Sequence, residues 1–424
     1  MDIETANRIK SLTHPCYNGC GGKNTRIHMP VAPLCNIQCN YCIRKFNCVN
    51  ESRPGVTANV LSPTEALTRY SAVKQRLGKL DVVGIAGPGD ALANFEPVKE
   101  TFSRIRELDE NVTFCVSTNG LLLPHYAEEL AKLGVSHVTV TINASEPSMG
   151  RRIYRHIDYQ GKRYTGLEAA TILLKNQYEG IGMLKKLGII CKVNTVLLKG
   201  LNDELMVEIS QKVKNAGAEV HNIMQLIPVE GTLFESMPLV SNDELNKVRR
   251  ACETIIPQMF HCRQCRADAI GSLDDDISYE FTCGSDTREN SEGSEALPDE
   301  PGLLFAAASK NGVVVDQHFG HATGFFVYEY KNGQTRFVER REVSQYCTPQ
   351  EGQGGIFLPR DHEGNMEAIL DAIGDCAAVI ALRIGDYPRR LLADHGIECF
   401  ITFSSVSEAV QKAAEMVLKR SIVS

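Results

Sequence analysis

The chain has 424 residues, with 45 basic and 52 acidic side chains and a net charge of −7. This length exceeds that of one ordinary domain, and an apolar content of 43% excludes wholesale disorder and fibrous folds. The acidic balance argues against binding to a nucleic-acid backbone. We expect a cytoplasmic protein, because no apolar run is long enough to span a membrane and the first residues lack the apolar core of a signal peptide.

Short β-rich runs alternate with longer amphipathic stretches between Arg26 and Gln258. The clearest helix begins at Ser62, where Pro63 and Glu65 complete a capping box, and it ends near Leu77. Repeated strand-helix units predict a parallel sheet, either open or curled into a full or partial barrel. The predicted strands are 26–31, 82–86, 112–116, 137–142, 189–196 and 220–227, and the remaining helices are 96–108, 124–133, 166–187, 203–216 and 242–256.

The segment 284–301 interrupts this pattern. It holds six acidic residues, one basic residue and no aromatic residue, so it cannot bury enough apolar surface to order itself and is predicted to be a flexible linker. A smaller α/β domain follows. Its predicted strands are 303–308, 313–315, 325–330, 336–342 and 377–382, and its predicted helices are 366–373, 388–395 and 406–420.

The chain contains 15 cysteines, which is many for a cytosolic protein without disulfides. Clustered thiols therefore indicate metal or redox-centre ligands, whereas isolated cysteines are usually small core residues. Two groups stand out, Cys262 with Cys265 and a set of six between residues 16 and 48, namely Cys16, Cys20, Cys35, Cys39, Cys42 and Cys48.

Cys35, Cys39 and Cys42 supply three thiolates within eight residues, directly after the first predicted strand. An ordinary four-iron cluster takes four protein ligands, so three leave one iron open. The spacing and Tyr41 resemble the signature of the radical S-adenosylmethionine (SAM) superfamily. This resemblance implies a partial (β/α)6 barrel and a 4Fe-4S cluster whose open iron binds SAM, which is then cleaved to a 5′-deoxyadenosyl radical. A zinc knuckle with Cys48 as its fourth ligand is the alternative.

Turns after the later strands also resemble the SAM-binding pattern of that superfamily. Asp90 stands where relatives usually carry a glutamate for the SAM amino group, which shortens its reach. Isolated Gly and Asn turns are weak signals, but these all fall at predicted strand ends. The predicted SAM-binding residues are Gly87, Pro88, Gly89, Asp90, Ser117, Thr118, Asn119, Asn143 and Asn194.

The other thiols resemble those of the NifB family of nitrogenase-cofactor maturases over residues 10 to 275. The likeness rests on His14-Pro15-Cys16, the three-cysteine loop and the run from Cys262 to Ala269. It implies that two further 4Fe-4S clusters are fused with a SAM-derived carbide and an added sulfur into an 8Fe-9S-C precursor. Cys262 and Cys265 with one N-terminal cysteine would hold one cluster. The second would take Cys48, Cys115, the other of Cys16 and Cys20, and His14, with His28 in reserve.

The C-terminal domain resembles the dinitrogenase cofactor-binding domain of NifX- and NafY-type carriers. The likeness is carried by the run from Asp316 to Phe326, with His318 and His321 as candidate iron ligands. It implies an RNase H-like α/β fold. The implied partners are NifX/NafY-type carriers, the NifEN scaffold, an iron-sulfur cluster donor and an electron donor, with no nucleic acid and no membrane.

Four parts are therefore predicted, a cluster-ligand segment (1–25), a radical SAM core (26–283), a linker (284–301) and a carrier-like domain (302–424).

Two other functions remain open. One is a multi-cluster radical SAM enzyme that matures a peptide or RNA and uses the extra clusters only as electron relays. The other is a non-catalytic iron-sulfur carrier or scaffold.

Arg263 and Arg266 flank the second cysteine pair, where they either balance cluster charge or are ordinary solvated bases.

Overall fold

The computed structural model describes residues 2–18, 24–46, 53–281, 302–309, 312, 315–331, 333–343, 362–402 and 404–421. Described residues up to Ser278 form one compact unit, and those from Tyr279 onward form another. The predicted linker and four cysteines lie outside the described residues, namely Cys20, Cys48, Cys283 and Cys347.

The first unit is built on a seven-stranded sheet in the order β10-β1-β3-β4-β5-β8-β9. Six neighbouring strands are parallel and β10 pairs antiparallel with β1, so the sheet forms the predicted partial barrel. A second, three-stranded sheet has the order β2-β6-β7. The strands are β1 (Arg26–His28), β2 (Ile37–Cys39), β3 (Val82–Ile85), β4 (Thr113–Thr118), β5 (Val135–Thr141), β6 (Tyr154–Tyr159), β7 (Lys162–Tyr164), β8 (Ile190–Leu197), β9 (Val220–Gln225) and β10 (Ile270–Gly271).

Helices connect the parallel strands, as the alternation predicts. The capping box at Ser62 is confirmed, because the Ser62 hydroxyl accepts from the Glu65 amide at 3.3 Å and the Glu65 carboxylate accepts from the Ser62 amide at 2.7 Å. The helices are α1 (Ile3–Ser11), α2 (Pro63–Leu77), α3 (Phe95–Leu108), α4 (Leu123–Lys132), α5 (Pro147–Ile153), α6 (Gly166–Lys186), α7 (Met206–Ala216) and α8 (Asn242–Glu253).

Helix α1 and the β2-β6-β7 sheet were not predicted. Asp2 caps α1 by accepting from the Thr5 amide at 2.8 Å. The helix packs on β5 and β8, and the Asn7 side-chain amide donates to the Gly188 carbonyl at 2.9 Å. The segment before β1 therefore begins as a docked helix, and only the residues after it remain to supply ligands.

The second unit has a five-stranded sheet in the order β13-β12-β11-β14-β15, with β12 antiparallel to both neighbours. In chain order this is 3-2-1-4-5, the arrangement of an RNase H-like sheet, as expected. Its strands are β11 (Leu303–Ala307), β12 (Gly324–Lys331), β13 (Gln334–Glu342), β14 (Ala378–Ala381) and β15 (Glu398–Ile401), and its helices are α9 (His362–Ile373), α10 (Asp386–Asp394) and α11 (Val406–Ser421).

Apolar residues fill both faces of this second sheet. One face buries Phe319, Phe325 and Ile369, and the other buries Phe305 and Val410. Strand β15 was not predicted, because the run Glu398–Ile401 is short and only half-buried. In both units, none of the described helices is long and apolar enough to cross a bilayer.

Candidate functional site

The first unit contains a cavity of about 300 Å³ into which the inner faces of the parallel strands project. Chain segments far apart in sequence meet there, because the loops after parallel strands all leave from one edge of the sheet. Seven cysteines and two histidines line this cavity, namely Cys16, Cys35, Cys39, Cys42, Cys115, Cys262, Cys265, His14 and His28.

The three-cysteine loop is held against the loop that follows β3. The Gly89 amide donates to the Ala32 carbonyl at 2.6 Å, and the Asp90 amide donates to the Leu34 carbonyl at 2.7 Å. Position 89 must be glycine, because a Cβ there would stand 2.1 Å from the Leu34 carbonyl oxygen. The Gly-rich turn thus fixes the start of the cysteine loop.

Within that loop the backbone folds back on itself. The Gln38 side-chain amide donates to the carbonyls of Cys39 and Cys42, at 3.0 and 2.8 Å. Cys39 also pairs with Tyr154 across the β2–β6 ladder. These bonds direct three thiols from one short segment into one cavity.

All three thiols of this loop are protonated at neutral pH. Burial raises the pKa of Cys35 to about 11 and also raises those of Cys39 and Cys42. Burial likewise raises the pKa of Cys115 to about 12. Binding iron must therefore displace protons from these groups.

Asp90 is buried and its carboxylate is already fully used by the protein. It accepts from the Thr118 hydroxyl at 3.0 Å and from the Asn119 amide at 2.5 Å. It also caps the short helix Ala91–Asn94 by accepting from two backbone amides. Burial raises its pKa, while these hydrogen bonds oppose that shift. A carboxylate with four donors has little capacity left for a ligand, so Asp90 ties the turn after β3 to the turn after β4.

The predicted SAM-binding residues divide into two groups. Asn143 is fully buried, donates to the Tyr41 hydroxyl at 2.8 Å and accepts from the Val196 amide at 2.8 Å, so its amide is an internal brace. Asn143 and Gly87 are not among the residues that line the cavity. Those that do line it are Pro88, Gly89, Asp90, Ser117, Thr118, Asn119 and Asn194.

The second cysteine pair is connected to the strands by hydrogen bonds to sulfur. The Asn222 side-chain amide on β9 donates to the Cys262 Sγ at 3.2 Å and to the Asn194 side-chain oxygen at 3.0 Å. The guanidinium of Arg26 on β1 donates to the Cys265 Sγ at 3.3 Å and pairs with Asp276 at 3.1 Å. Both sulfurs therefore have donors suited to a thiolate.

The two arginines that the sequence singled out are both paired with carboxylates, and Arg263 lines the cavity. Arg266 pairs with Asp268 in a bidentate arrangement, at 2.8 and 3.0 Å, and Arg263 pairs with Asp274 at 2.6 Å. The buried cations that line the cavity are Arg26, Arg53 and Lys192. Lys192 had a recognisable signal, since a charged residue in a buried parallel strand is rare.

Thiols surround Lys192, which projects from β8. Burial lowers its pKa, but Cys16, Cys262 and Cys115 raise it by more once they are thiolates, so the ammonium form is favoured when these thiols have lost their protons. The Lys192 Nζ lies 4.0 Å from the Met259 sulfur and 5.9 Å from the centre of the Tyr17 ring.

The two histidines of the cavity have different hydrogen bonds. The Nδ1 of His14 accepts from the Cys16 amide at 3.2 Å, so its neutral ring carries hydrogen on Nε2. The Nδ1 of His28 lies 2.9 Å from the Arg266 carbonyl, which can only accept, so His28 carries hydrogen there and keeps the Nε2 lone pair. Burial lowers the pKa of His14 to about 3 and that of His28 to about 4, so both rings are neutral. The imidazole of His28 fits beside Gly84, where a Cβ would lie 3.0 Å from its Cδ2.

In the second unit His318 and His321 lie at the short helix Phe319–His321, with ring centres 5.3 Å apart. The Nδ1 of His318 accepts from the Gly320 amide at 3.1 Å. The loop is anchored by the Phe319 amide, which donates to the Arg383 carbonyl at 2.9 Å. The two imidazoles are therefore neighbours on an ordered turn.

Two protein families match separate parts of the chain. Residues 29–213 match the radical SAM superfamily, and residues 302–416 match the dinitrogenase iron-molybdenum cofactor family. The solved structure of Streptococcus suis SuiB bound to S-adenosylmethionine is 14% identical and has a TM-score of 0.39, over 55% of this chain and 49% of that one.

Two curated relatives match nearly the whole chain. The FeMo cofactor biosynthesis protein NifB of Klebsiella pneumoniae is 40% identical over 92% of this chain and 87% of its own. NifB of Herbaspirillum seropedicae is 40% identical over 94% of this chain and 81% of its own. The chain therefore belongs to the NifB family of radical SAM proteins of FeMo cofactor biosynthesis.

Proposed function

We propose that this enzyme fuses two 4Fe-4S clusters, with a carbide derived from SAM and an added sulfur, into the 8Fe-9S-C precursor of the nitrogenase cofactors. One observation carries the proposal. Seven cysteines from the segment after α1, the loop after β1, strand β4 and the segment after α8 line a single cavity. Electron relays could be spaced apart, whereas clusters that are to be joined must share one space.

The loop after β1 fits a resident 4Fe-4S cluster. Cys35, Cys39 and Cys42 offer three sulfur ligands, and their loop is fixed by Gly89 and Gln38. When bound, such a cluster supplies the electron that cleaves SAM. The protein's part is to keep a side-chain ligand away from the fourth iron and to exclude water.

SAM would bind along the strand ends beside this loop. Ser117, Asn119 and Asn194 present hydroxyl and amide groups to the cavity, which suit the ribose and the carboxylate of SAM. Asp90 would act indirectly, because its carboxylate holds the Thr118 hydroxyl and the Asn119 amide in place. We therefore assign Asp90 to positioning.

The two other clusters are substrates in this scheme. Cys262 and Cys265 would hold one, with Asn222 and Arg26 donating hydrogen bonds to their sulfurs. Cys115 would hold the other, together with Cys48 and an N-terminal cysteine. Cys16 lines the cavity, and the partition between Cys16 and Cys20 stays open.

For the nitrogen ligand, hydrogen bonding favours His28 over His14. A metal-binding histidine usually donates its second ring N–H to a carbonyl or carboxylate, which leaves the other nitrogen free for the metal. His28 has this arrangement with the Arg266 carbonyl. His14 could bind iron through Nε2 only after losing its bond from the Cys16 amide.

The reaction requires two uses of SAM. One molecule gives its methyl group to a cluster sulfide and leaves as S-adenosylhomocysteine, and a second gives the radical that removes hydrogen from that methyl group and leaves as 5′-deoxyadenosine. We would incubate reconstituted protein with dithionite and SAM without air and quantify both products. Both are expected. 5′-Deoxyadenosine alone would indicate a peptide or RNA maturase with electron-relay clusters, and neither would indicate a scaffold.

The second unit is proposed to hold the finished cluster or to contact other assembly proteins, with His318 and His321 as ligands. The proposed partners are NifX/NafY-type carriers, the NifEN scaffold, a cluster donor and an electron donor. A chain ending at Cys283 should still make the precursor, since the cysteines of the cavity all precede that residue. A truncated protein that carries its clusters but makes no precursor would show that the second unit takes part in synthesis.

A further inference from the structure

Lys192 is a buried lysine whose partners in the described protein are thiols rather than carboxylates. Its residue is 5% exposed, and no carboxylate of the described residues lies within 4 Å of its Nζ. Its neighbours are the Cys16 thiol, with which it forms a hydrogen bond, the Met259 sulfur at 4.0 Å and the Tyr17 ring at 5.9 Å. Burying a charge without a partner destabilises a protein, so such a residue is retained only where something else compensates.

The position of Lys192 indicates what compensates it. On β8 it lies two residues before Asn194, on the same face of the strand, and both residues line the cavity. Lys192 is therefore deeper in the barrel than the proposed SAM site. The thiols whose charges act on it are Cys16, Cys115 and Cys262, which come from both proposed substrate-cluster groups.

A thiol carries no charge until it gives up its proton to bind iron, after which the cluster and its thiolates are anionic. The other buried cations of the cavity have partners in the protein, since Arg26 pairs with Asp276 and Arg53 donates to the Ile43 carbonyl at 2.8 Å. Lys192 thus lies among thiols of both cysteine groups, which compensate its charge only after they lose their protons to iron.

We propose that Lys192 is a positioning residue whose positive charge holds the two anionic substrate clusters together at the floor of the cavity. This inference rests on the proposed function, because it requires both clusters to occupy the cavity. Lys192 contributes no ligand and no proton. It favours the loaded protein at the expense of the cluster-free one, because its charge gains a partner only on loading.

The test compares two neutral variants, Lys192→Met and Lys192→Gln, with Lys192→Arg, which keeps the charge. Lys186→Met, on the exposed side of α6, controls for loss of a lysine elsewhere. We would measure the thermal midpoint of each cluster-free protein, and iron per chain and the potential of the auxiliary clusters after anaerobic reconstitution.

In cluster-free form, both neutral variants should melt above the parent protein. After reconstitution they should retain less iron, and the auxiliary clusters that remain should have more negative potentials, because a nearby cation favours the reduced cluster. Lys192→Arg should retain more iron than either. Lower cluster-free midpoints in the neutral variants, or unchanged iron, would overturn the proposal. If the parent protein itself holds only about four irons, the content of one four-iron cluster, the result contradicts the proposed function and not only the role of Lys192.

Discussion

Gly89 lies so close to Leu34 that a Cβ atom at position 89 would stand 2.1 Å from the Leu34 carbonyl oxygen. The turn after β3 and the cysteine loop therefore touch backbone to backbone, with the Gly89 amide also donating to Ala32 at 2.6 Å. No flexible side-chain end can move away to make room. The position of the three thiols thus depends on a residue that carries no chemistry itself.

Gly89→Ala should displace the cysteine loop and weaken SAM binding about tenfold or more, because overpacking costs about 1–3 kcal/mol and 1.4 kcal/mol corresponds to a factor of ten. Equilibrium binding of SAM to the reconstituted protein measures this. The matched control is Gly182→Ala in α6, where the nearest atom to the added Cβ is 4.0 Å away and stability should rise by roughly 0.5–1 kcal/mol. Unaltered SAM affinity in Gly89→Ala would mean that the two loops need not touch.

Cys39→Ala should abolish SAM cleavage and leave the other clusters in place, since Cys39 belongs to the loop after β1. Iron per chain should fall from about twelve to about eight, the content of two four-iron clusters. Signals of the remaining clusters should persist in electron paramagnetic resonance. Cys252→Ala is the control, because Cys252 is a buried cysteine on α8 that does not line the cavity. Cleavage by the Cys39 variant at the parental rate would disprove the role given to this loop.

His28→Ala and His14→Ala test which imidazole binds iron. With Nδ1 of His28 donating to the Arg266 carbonyl at 2.9 Å, Nε2 is free for iron, so His28→Ala should remove the nitrogen coupling from the pulsed electron paramagnetic resonance spectrum of the auxiliary clusters. His14→Ala should retain it. Loss of the nitrogen coupling in His14→Ala, with the coupling retained in His28→Ala, would assign the ligand to His14, which the sequence had favoured.

The sequence predicted the strands of the barrel because their apolar runs are bounded by turn residues, and it located the cysteine loop because three thiols in eight residues form a local pattern. It could not show that the polar groups of Asn143 and Asp90 are used in hydrogen bonds within the protein. The Asn143 side chain, for example, donates to the Tyr41 hydroxyl and accepts from the Val196 amide. Such partners are far away in sequence. The turn residues alone therefore could not distinguish side chains that would contact SAM from side chains that hold the protein together.

The residues between the cysteines were missed for a related reason. Arg26, Lys192 and Asn222 lie on three different strands and are far apart in sequence. Only the register of the sheet, which pairs Asn194 with Asn222, brings such positions to one inner face. The helix α1 was missed because it is only nine residues long and has a low apolar content.

His221 should make the first unit sensitive to acid. It is fully buried between the hydroxyls of Ser210 at 2.9 Å and Thr195 at 2.8 Å, and burial lowers its pKa from 6.5 to about 3. The unfolded chain takes up a proton near pH 6.5 and the folded chain does not, so this contribution to stability is complete above pH 6.5 and declines as the pH falls toward 3.

Between pH 7 and pH 5 this loss amounts to about 2 kcal/mol. His221→Gln should therefore show a smaller decline, because glutamine can hydrogen-bond both hydroxyls without titrating. Hydrogen exchange of the β8 and β9 amides in the cluster-free protein reports the unfolding free energy of this unit at each pH. Equal pH dependence in the variant and the parent would show that His221 does not hold a depressed pKa.

Iron per chain, determined after anaerobic reconstitution of the full-length protein, tests most directly whether one cavity holds a SAM-cleaving cluster and two substrate clusters. We expect about twelve iron atoms per chain, in three four-iron clusters. A value of about four, with every cluster signal lost in Cys39→Ala, would contradict the account.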